Sequence, residues 1–232
     1  MKLGLIFRGG RKLGIAGIIR TLWFNFRYFP IKTAIKIPVI VFQKIETFSL
    51  RKGNIVIENP GFNRLSLGGH GNTEWTYSRP CYLHIAGKMI VKGSGFHYFR
   101  PGICINISKG AVLELGNNFS SANDLRLTVN KKIVVGDNNM WSYDNIVLDS
   151  DVHIITDKYG KQINRPGEII FGDNVWMGCR CTVLKNVCIA NGSIIGSNTI
   201  ITKSLTEPNS IYAGSEAKVI KNDMFWKRDF LN

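Results

Sequence analysis

Residues 171–206 read FGDNVW MGCRCT VLKNVC IANGSI IGSNTI ITKSLT when they are divided into groups of six. The first residue of every group is apolar, and the fifth is small or medium-sized. Glycine, asparagine and aspartate, which tolerate tight turns, lie between them. A period of six matches neither an α-helix, which repeats every ~3.6 residues, nor a half-buried strand, which alternates. We therefore predict very short strands that turn around a prism-shaped core.

The same spacing continues upstream with less regularity, so that the repeat covers roughly residues 55–205. It slips by two residues between Ile133 and Val135. Three groups of six would close one turn, and successive turns would stack at about 4.8 Å with hydrogen bonds along the axis. The sequence predicts an all-β parallel β-helix over residues 51–207, a basic and helical N-terminal segment over 1–50, and a short C-terminal tail over 208–232.

The formal charge of +14 is concentrated at one end of the chain. Residues 1–45 hold nine basic residues and no acidic one, whereas the rest of the chain holds 21 basic and 16 acidic residues. This distribution argues against a nucleic-acid-binding protein. Large apolar side chains, Trp23, Phe24, Phe26, Tyr28 and Phe29, alternate with these cations, a combination that suits an anionic membrane surface. The alternative is a helix that packs on its own domain with solvated lysines, as a structural cap.

Five cysteines are present, an odd number without the spacing of a disulfide framework or of a zinc site. We expect reduced thiols in a cytoplasmic protein, with no metal. Charged residues interrupt the apolar runs of the first 20 residues, so a cleaved signal peptide is not expected.

The stretch DSDVHIITD, residues 149–157, contains a histidine among three acidic residues and is a candidate catalytic segment. His153 falls on the first position of its group of six, where an apolar residue is expected, and the repeat stops directly after it. Residues 154–169 read as an extruded loop, and loops on a rigid scaffold commonly carry function. A loop histidine bonded to the backbone is the alternative interpretation.

The groups of six resemble the hexapeptide-repeat acyltransferases. The similarity covers GDNVWMGCRCTVLKNVCIANGSIIGSNTIITKS and the terminal motif AGSEAKVIK, residues 213–221, in which Glu216 stands where many members have proline. The resemblance implies a left-handed parallel β-helix that assembles as a homotrimer. It also implies acetyl-CoA as the acyl donor, bound in the groove between neighbouring β-helices.

The string SYDNIVLDSDVH, residues 142–153, resembles the branch of this family that O-acetylates bacterial polysaccharides, in which a D-x-D-x-H stretch carries the catalytic histidine. His153 would then be the general base that takes a proton from a sugar hydroxyl, as a neutral imidazole can near pH 7. Asp151 would point to the same side as His153 if the segment is extended, and would orient the imidazole. Asp149 is the second candidate for that role.

The resemblance also assigns the donor site. Trp176 would border the pantetheine arm, and the backbone N–H of Cys179 would face the thioester carbonyl. Ser197, Thr202 and Lys203 would line the arm further along. Lys218 and Lys221 would meet the nucleotide phosphates, and Asn123 is a candidate contact to the acceptor. Cys179 is not expected to act as a nucleophile.

Three classes of function follow from these residues. The first is O-acetyl transfer to a sugar of a surface polysaccharide or its lipid-linked precursor, with peripheral contact to the inner membrane face. The second is N-acyl transfer to an amino sugar, or transfer to a small-molecule acceptor. The third is a non-enzymatic β-helix, such as a metal-binding protein, which would use several histidines from stacked turns.

Overall fold

A computed structural model describes residues 5–7, 11–69 and 79–229. His70 and two of the N-terminal cations, Lys2 and Arg8, lie outside these ranges. The chain begins with an antiparallel strand pair and two helices. These elements are β1 (Leu5–Phe7), β2 (Arg11–Leu13), α1 (Ile15–Tyr28) and α2 (Ile31–Ala34).

The remaining strands form three sheets, and the chain visits sheets I, II and III in turn. Sheet I contains β3 (Val39–Val41), β6 (Leu65–Leu67), β9 (His97–Phe99), β12 (Ser120–Ser121), β15 (Met140–Trp141), β18 (Trp176–Met177), β21 (Ile194–Ile195), β23 (Ile211–Ala213) and β24 (Lys218–Lys221). Sheet II contains β4 (Ile45–Phe48), β7 (Cys81–Ile85), β10 (Cys104–Ile107), β13 (Arg126–Val129), β16 (Ile146–Leu148), β19 (Thr182–Leu184) and β22 (Ile200–Ile201). Sheet III contains β5 (Ile55–Ile57), β8 (Lys88–Val91), β11 (Val112–Leu115), β14 (Lys132–Val135), β17 (Ile169–Phe171) and β20 (Val187–Ile189). Pairing within the sheets is parallel except between β23 and β24, so the predicted parallel β-helix is confirmed.

The side chains at the repeating positions fill the interior of the prism. The first residues of the six quoted groups are all buried: Phe171, Met177, Val183, Ile189, Ile195 and Ile201. The fifth residues are buried as well: Val175, Cys181, Val187, Ser193, Thr199 and Leu205. The two-residue slip upstream has a simple cause, because β14 turns both Ile133 and Val135 inward.

The corners of the prism explain the asparagines and aspartates between the apolar positions. Asn138, Asp144, Asn174 and Asn198 have φ values of 55–59°, in the left-handed region. Asparagine and aspartate tolerate this conformation better than other residues with a side chain. These residues therefore permit the sharp turn from one sheet to the next.

The N-terminal segment caps the first turn of the β-helix. The carboxamide of Asn25 donates to Val39 O at 2.7 Å and accepts from Val39 N at 3.2 Å, and Thr21 Oγ1 accepts from Val41 N at 2.9 Å. These bonds satisfy the free edge of β3, which would otherwise invite pairing with another chain. Phe24 is buried in the same core as the sheets. The structural cap, one of the two alternatives, is therefore present.

The C-terminal tail runs back along the β-helix after β24. Met224 N donates to Asn209 O at 2.7 Å, Trp226 Nε1 donates to Asn174 O at 2.6 Å, and Arg228 donates to Ser120 Oγ at 2.9 Å and to Asn139 O at 2.8 Å. The tail thus crosses several turns and ends beside the middle of sheet I.

Candidate active site

His153 lies on the loop that leaves the β-helix between β16 and β17, at the corner of sheets II and III. The loop begins after Leu148, five residues earlier than the repeat suggested, and the inward position of the next strand is filled by Phe171. His153 consequently does not point into the core. Its side chain is exposed, and its imidazole has no hydrogen-bond partner within the described part of the chain.

The loop is held by a small network around Asn164. The Nδ2 group of Asn164 lies 2.8 Å from Asp151 Oδ2 and 2.8 Å from the backbone oxygen of His153, and its Oδ1 accepts from Ile155 N at 2.7 Å. Lys185, which follows β19, forms an ion pair with the same Asp151 oxygen. The hydrogen bonds from Lys185 and then Asn164 hold the pKa of Asp151 below its usual value. The network holds the two arms of the loop together, and Lys185 ties its first residues to the β-helix.

The expectation that Asp151 points to the same side as His153 requires correction. Val152 has φ 63°, so the backbone turns between Asp151 and His153 and the segment is not extended. The Asp151 carboxylate therefore contacts Lys185 and Asn164, whereas the contact to His153 runs between backbones, from His153 N to Asp151 O at 2.6 Å.

Asp149, the first residue of the loop, is buried, and its carboxylate bonds to the backbone of the turn below. Its Oδ1 and Oδ2 accept from the backbone N–H groups of Asn130 and Lys131, each at 2.7 Å. Burial raises the pKa of Asp149, and these backbone hydrogen bonds oppose that effect. This carboxylate anchors the base of the loop, and among the described residues its hydrogen bonds go to backbone N–H groups and not to the imidazole.

A second group of candidate residues stacks along the corner between sheets I and II. Backbone hydrogen bonds link successive turns there, from Asp144 N to Asn123 O at 2.9 Å, from Arg180 N to Tyr143 O at 3.0 Å and from Asn198 N to Cys179 O at 2.9 Å. The ladder places Asn123, Tyr143, Cys179 and Ser197 at the same corner on consecutive turns. The structure thus brings a candidate acceptor residue and two candidate donor residues onto one edge.

Cys179 and Ser197 are in direct contact on this edge. Cys179 N lies 3.3 Å from Ser197 Oγ, and Cys179 Sγ lies 3.2 Å from the same oxygen. Burial by itself would raise the pKa of the Cys179 thiol. Hydrogen bonds with Ser197 and Tyr143 act in the opposite direction, and the pKa is lowered overall. The backbone N–H of Cys179 is half-buried and makes only a long hydrogen bond.

The terminal motif lies against the last turn of sheet II. Ile200 N donates to Gly214 O at 3.1 Å, and Ala217 N donates to Ile200 O at 3.2 Å. Lys203 Nζ lies 2.8 Å from Glu216 Oε1, so the residue that replaces the usual proline pairs with a candidate donor-site lysine. Thr202, Lys218 and Lys221 are exposed, the last two on β24.

Trp176 lies on the outer face of sheet I, beside a cavity of 320 Å³. The cavity is lined by Tyr98, Arg100, Ser120, Met140, Ser142 and Arg228, among others. The ring of Trp226 lies 6.1 Å from that of Trp176, so the C-terminal tail forms one wall. The cavity lies on sheet I, whereas His153 lies on the loop between sheets II and III.

Four residues of these sites were not predicted from the sequence. They are Asn164, Lys185, Tyr143 and Arg228. Contacts with residues 13 to 108 positions away along the chain, or the stacking of turns, bring them to the sites. Tyr143 lies 36 residues before Cys179 but only one turn away, because the loop between β16 and β17 adds residues between them. Asn164 and Arg228 lie in irregular segments, and Lys185, although it lies in the hexad 183–188, is recognised only through its ion pair with Asp151.

No family model matches the chain. It is 30% identical over 120 residues to the galactoside O-acetyltransferase of Escherichia coli (strain K12), covering 50% of this chain and 57% of the relative. It is 41% identical over 61 residues to a probable macrolide acetyltransferase of Lysinibacillus sphaericus, covering 26% of this chain and 33% of the relative. The chain thus spans little more than half the length of the first relative and a third of the second.

In structure, the chain is similar to the polySia specific acetyltransferase NeuO, with a TM-score of 0.55 at 21% identity. The similarity covers 83% of this chain and 90% of NeuO. The resemblance to the hexapeptide-repeat acyltransferases is thereby confirmed: the chain has their left-handed parallel β-helix fold, and the relatives that it matches in sequence are acetyltransferases.

Proposed function

We propose that this chain is an acetyl-CoA-dependent O-acetyltransferase acting on a sugar hydroxyl of a bacterial surface polysaccharide (capsule, O-antigen or exopolysaccharide) or of its precursor. The observation that carries the proposal is the exposed imidazole of His153 on a loop pinned by Asn164. The sequence likeness to a galactoside O-acetyltransferase supports a sugar as acceptor. The likeness of the segment 142–153 to polysaccharide O-acetyltransferases supports the finer assignment.

In the proposed reaction, His153 takes the proton of the acceptor hydroxyl while that oxygen attacks the thioester carbonyl. The resulting imidazolium returns the proton to the departing thiolate of coenzyme A. The N–H of Cys179 stabilises the negative charge that develops on the carbonyl oxygen, after its long bond to Ser197 is released. Asp151 orients His153 indirectly, through Asn164 and the loop backbone, and Asp149 anchors the loop.

The donor, acetyl-CoA, would bind along the edge that carries Cys179 and Ser197. Thr202 and Lys203 would line the arm of the donor, with Trp176 on the adjacent face. Lys218 and Lys221 on β24 offer two exposed cations for the nucleotide phosphates, which lysines bind as point charges. Asn123 would contact the acceptor two turns away from Cys179 on the same edge.

We further propose that the protein is a homotrimer whose sites lie between subunits. The loop exposes a run of apolar side chains that a neighbouring chain would cover: Val152, Ile154, Ile155, Tyr159 and Ile163. His153 at one corner could then face the edge of the partner that carries Cys179. Five free cysteines support a reducing compartment, and we place the protein in the cytoplasm, with peripheral contact to the inner membrane face.

The experiment is an acetyl-CoA consumption assay, read by thiol release, on matched panels of oligosaccharides, amino sugars and small molecules. Transfer to oligosaccharide hydroxyls, with base-labile O-acetyl groups in the product, is the expected result. The likeness to a macrolide acetyltransferase favours a small-molecule acceptor as the second candidate. Turnover of macrolides alone, or base-stable N-acetyl products from amino sugars, would replace the first proposal with the second class.

A further inference from the structure

The two faces of α1 differ in what they contact. Thr21, Phe24, Asn25 and Tyr28 are buried against the first turn of the β-helix. The opposite face carries large apolar side chains that are exposed: Ile15, Ile19, Leu22, Trp23 and Phe26. Their spacing of three and four residues places them in one stripe along the helix. Among the described residues, no other element of the fold covers this stripe, whereas the opposite face of α1 caps the β-helix.

The helix α2 extends this apolar surface. Ile31 is 71% exposed and Ile35 is 63% exposed, at successive turns of chain directly after α1. We call the stripe on α1 together with Ile31 and Ile35 the N-terminal apolar face. A contiguous exposed apolar face of this kind marks an interaction surface.

The charges around the N-terminal apolar face are all of one sign. Arg27, Lys32 and Lys36 are exposed beside it, and residues 1–45 contain no aspartate or glutamate. Two copies of such a face would bring their cations together with no acid to offset the repulsion. An anionic lipid surface instead accepts apolar side chains at headgroup level and attracts the cations.

We propose that the N-terminal apolar face binds the surface of anionic phospholipid membranes, with α1 lying in the plane of the bilayer. Among the described residues, no helix is long and apolar enough to cross a membrane. The 14 residues of α1 match an interfacial helix that inserts one face. Since its other face caps β3, binding would hold the β-helix rigidly at the membrane. This inference is independent of the acetyl transfer.

The test is sedimentation of the full-length protein with phosphatidylcholine vesicles that contain or lack phosphatidylglycerol. We expect binding to the anionic vesicles at low salt and release at high salt, because salt screens the attraction. The double variants Trp23→Ala/Phe26→Ala and Lys32→Glu/Lys36→Glu should each weaken binding at least ~10-fold. The matched control Lys109→Glu/Lys227→Glu changes the net charge equally at exposed sites elsewhere and should bind like the wild type.

Equal loss of binding in the control would overturn the proposal, because net charge alone would then explain it. Undiminished binding of Trp23→Ala/Phe26→Ala would overturn it too. So would a change of oligomeric state in that variant by analytical ultracentrifugation, which would assign the face to a second copy of the chain. None of the substituted residues belongs to the candidate active site, so all variants should still transfer acetyl groups to a soluble acceptor. A loss of vesicle binding with this activity retained would show that the two proposals succeed or fail separately.

Discussion

The side-chain amide of Asn164 donates to the backbone oxygen of His153 at 2.8 Å and joins two points of the chain that are 11 residues apart. The same nitrogen donates to Asp151, which is paired with Lys185 on the neighbouring turn. The position of the imidazole therefore depends on the loop backbone and not on a carboxylate in contact with the ring.

Replacing His153 by alanine should lower kcat for acetyl transfer at least ~100-fold, because general-base catalysis typically contributes a factor of ~10²–10⁴. The dissociation constant for acetyl-CoA and the oligomeric state should not change, since the base acts in the transition state. The matched control is His84→Ala, an exposed histidine on sheet II. Retention of more than about a tenth of the wild-type kcat would remove His153 as the base.

Replacing Asn164 by alanine should lower kcat about tenfold with little change in the KM for acetyl-CoA. The variant loses three hydrogen bonds of ~1 kcal/mol each, and part of that loss falls on the placement of His153. Lys158→Ala, on the same loop but outside the network, should leave both constants unchanged. An equal effect of Asn164→Ala on KM and kcat would indicate a general disturbance of the fold.

Mixing His153→Ala chains with Trp176→Ala chains should restore part of the activity. His153 lies at the corner of sheets II and III, whereas Trp176 lies on the outer face of sheet I, so a shared site would take one residue from each chain. Activity is measured on mixed oligomers isolated by two affinity tags. If these oligomers stay inactive, both residues serve a site within one chain.

Replacing Trp141 by alanine should lower the free energy of unfolding by ~3–5 kcal/mol. In the core of the β-helix, the centroid of the Trp141 ring lies 4.9 Å from that of Phe119 and 4.5 Å from that of Phe171. Trp141→Phe should cost less, because it keeps a ring and removes an indole N–H that is buried without a partner among the described residues. Urea unfolding measures both, and an equal cost would mean that the aromatic stack contributes little.

Acidification should destabilise the protein in part through His97. This residue is 1% exposed, with ring nitrogens 2.6 Å from Gly116 O and 3.2 Å from Arg64 O. Burial lowers the pKa of His97, against the effect of these carbonyls. The unfolded chain therefore binds a proton first, and stability present above ~6.5, the ordinary histidine pKa, falls as the pH decreases below it. His97→Leu should lose less stability than the wild type between about pH 7.5 and about pH 5.5 in urea unfolding. An equal change of the free energy of unfolding with pH in the two proteins would contradict this prediction.

Deletion of residues 1–45 is expected to destabilise the β-helix and is therefore not a clean test of the N-terminal apolar face. Such a deletion removes β3 and the Asn25 and Thr21 side chains that satisfy its edge. It would also expose the core that Phe24 covers. Substitution of exposed residues on α1 is therefore the suitable way to study the N-terminal apolar face.

The sequence by itself determined the β-helix, the inward positions of its repeats and the loop that carries His153. It could do so because each turn packs on the turns directly before and after it, so that a local period of six encodes the core. The corner residues were readable for the same reason, as Asn174 and Asn198 occupy turns that need the left-handed conformation.

Only the tertiary structure decided how the candidate site is built. The carboxamide of Asn164 and the ammonium of Lys185 reach Asp151 from 13 and 34 residues away, across a loop with no repeat to set its register. The left-handed Val152 turns Asp151 away from the imidazole, which a pattern of alternating residues cannot reveal. The two faces of α1 likewise became distinct only once β3 was in place, because burial depends on what the helix packs against and not on its composition.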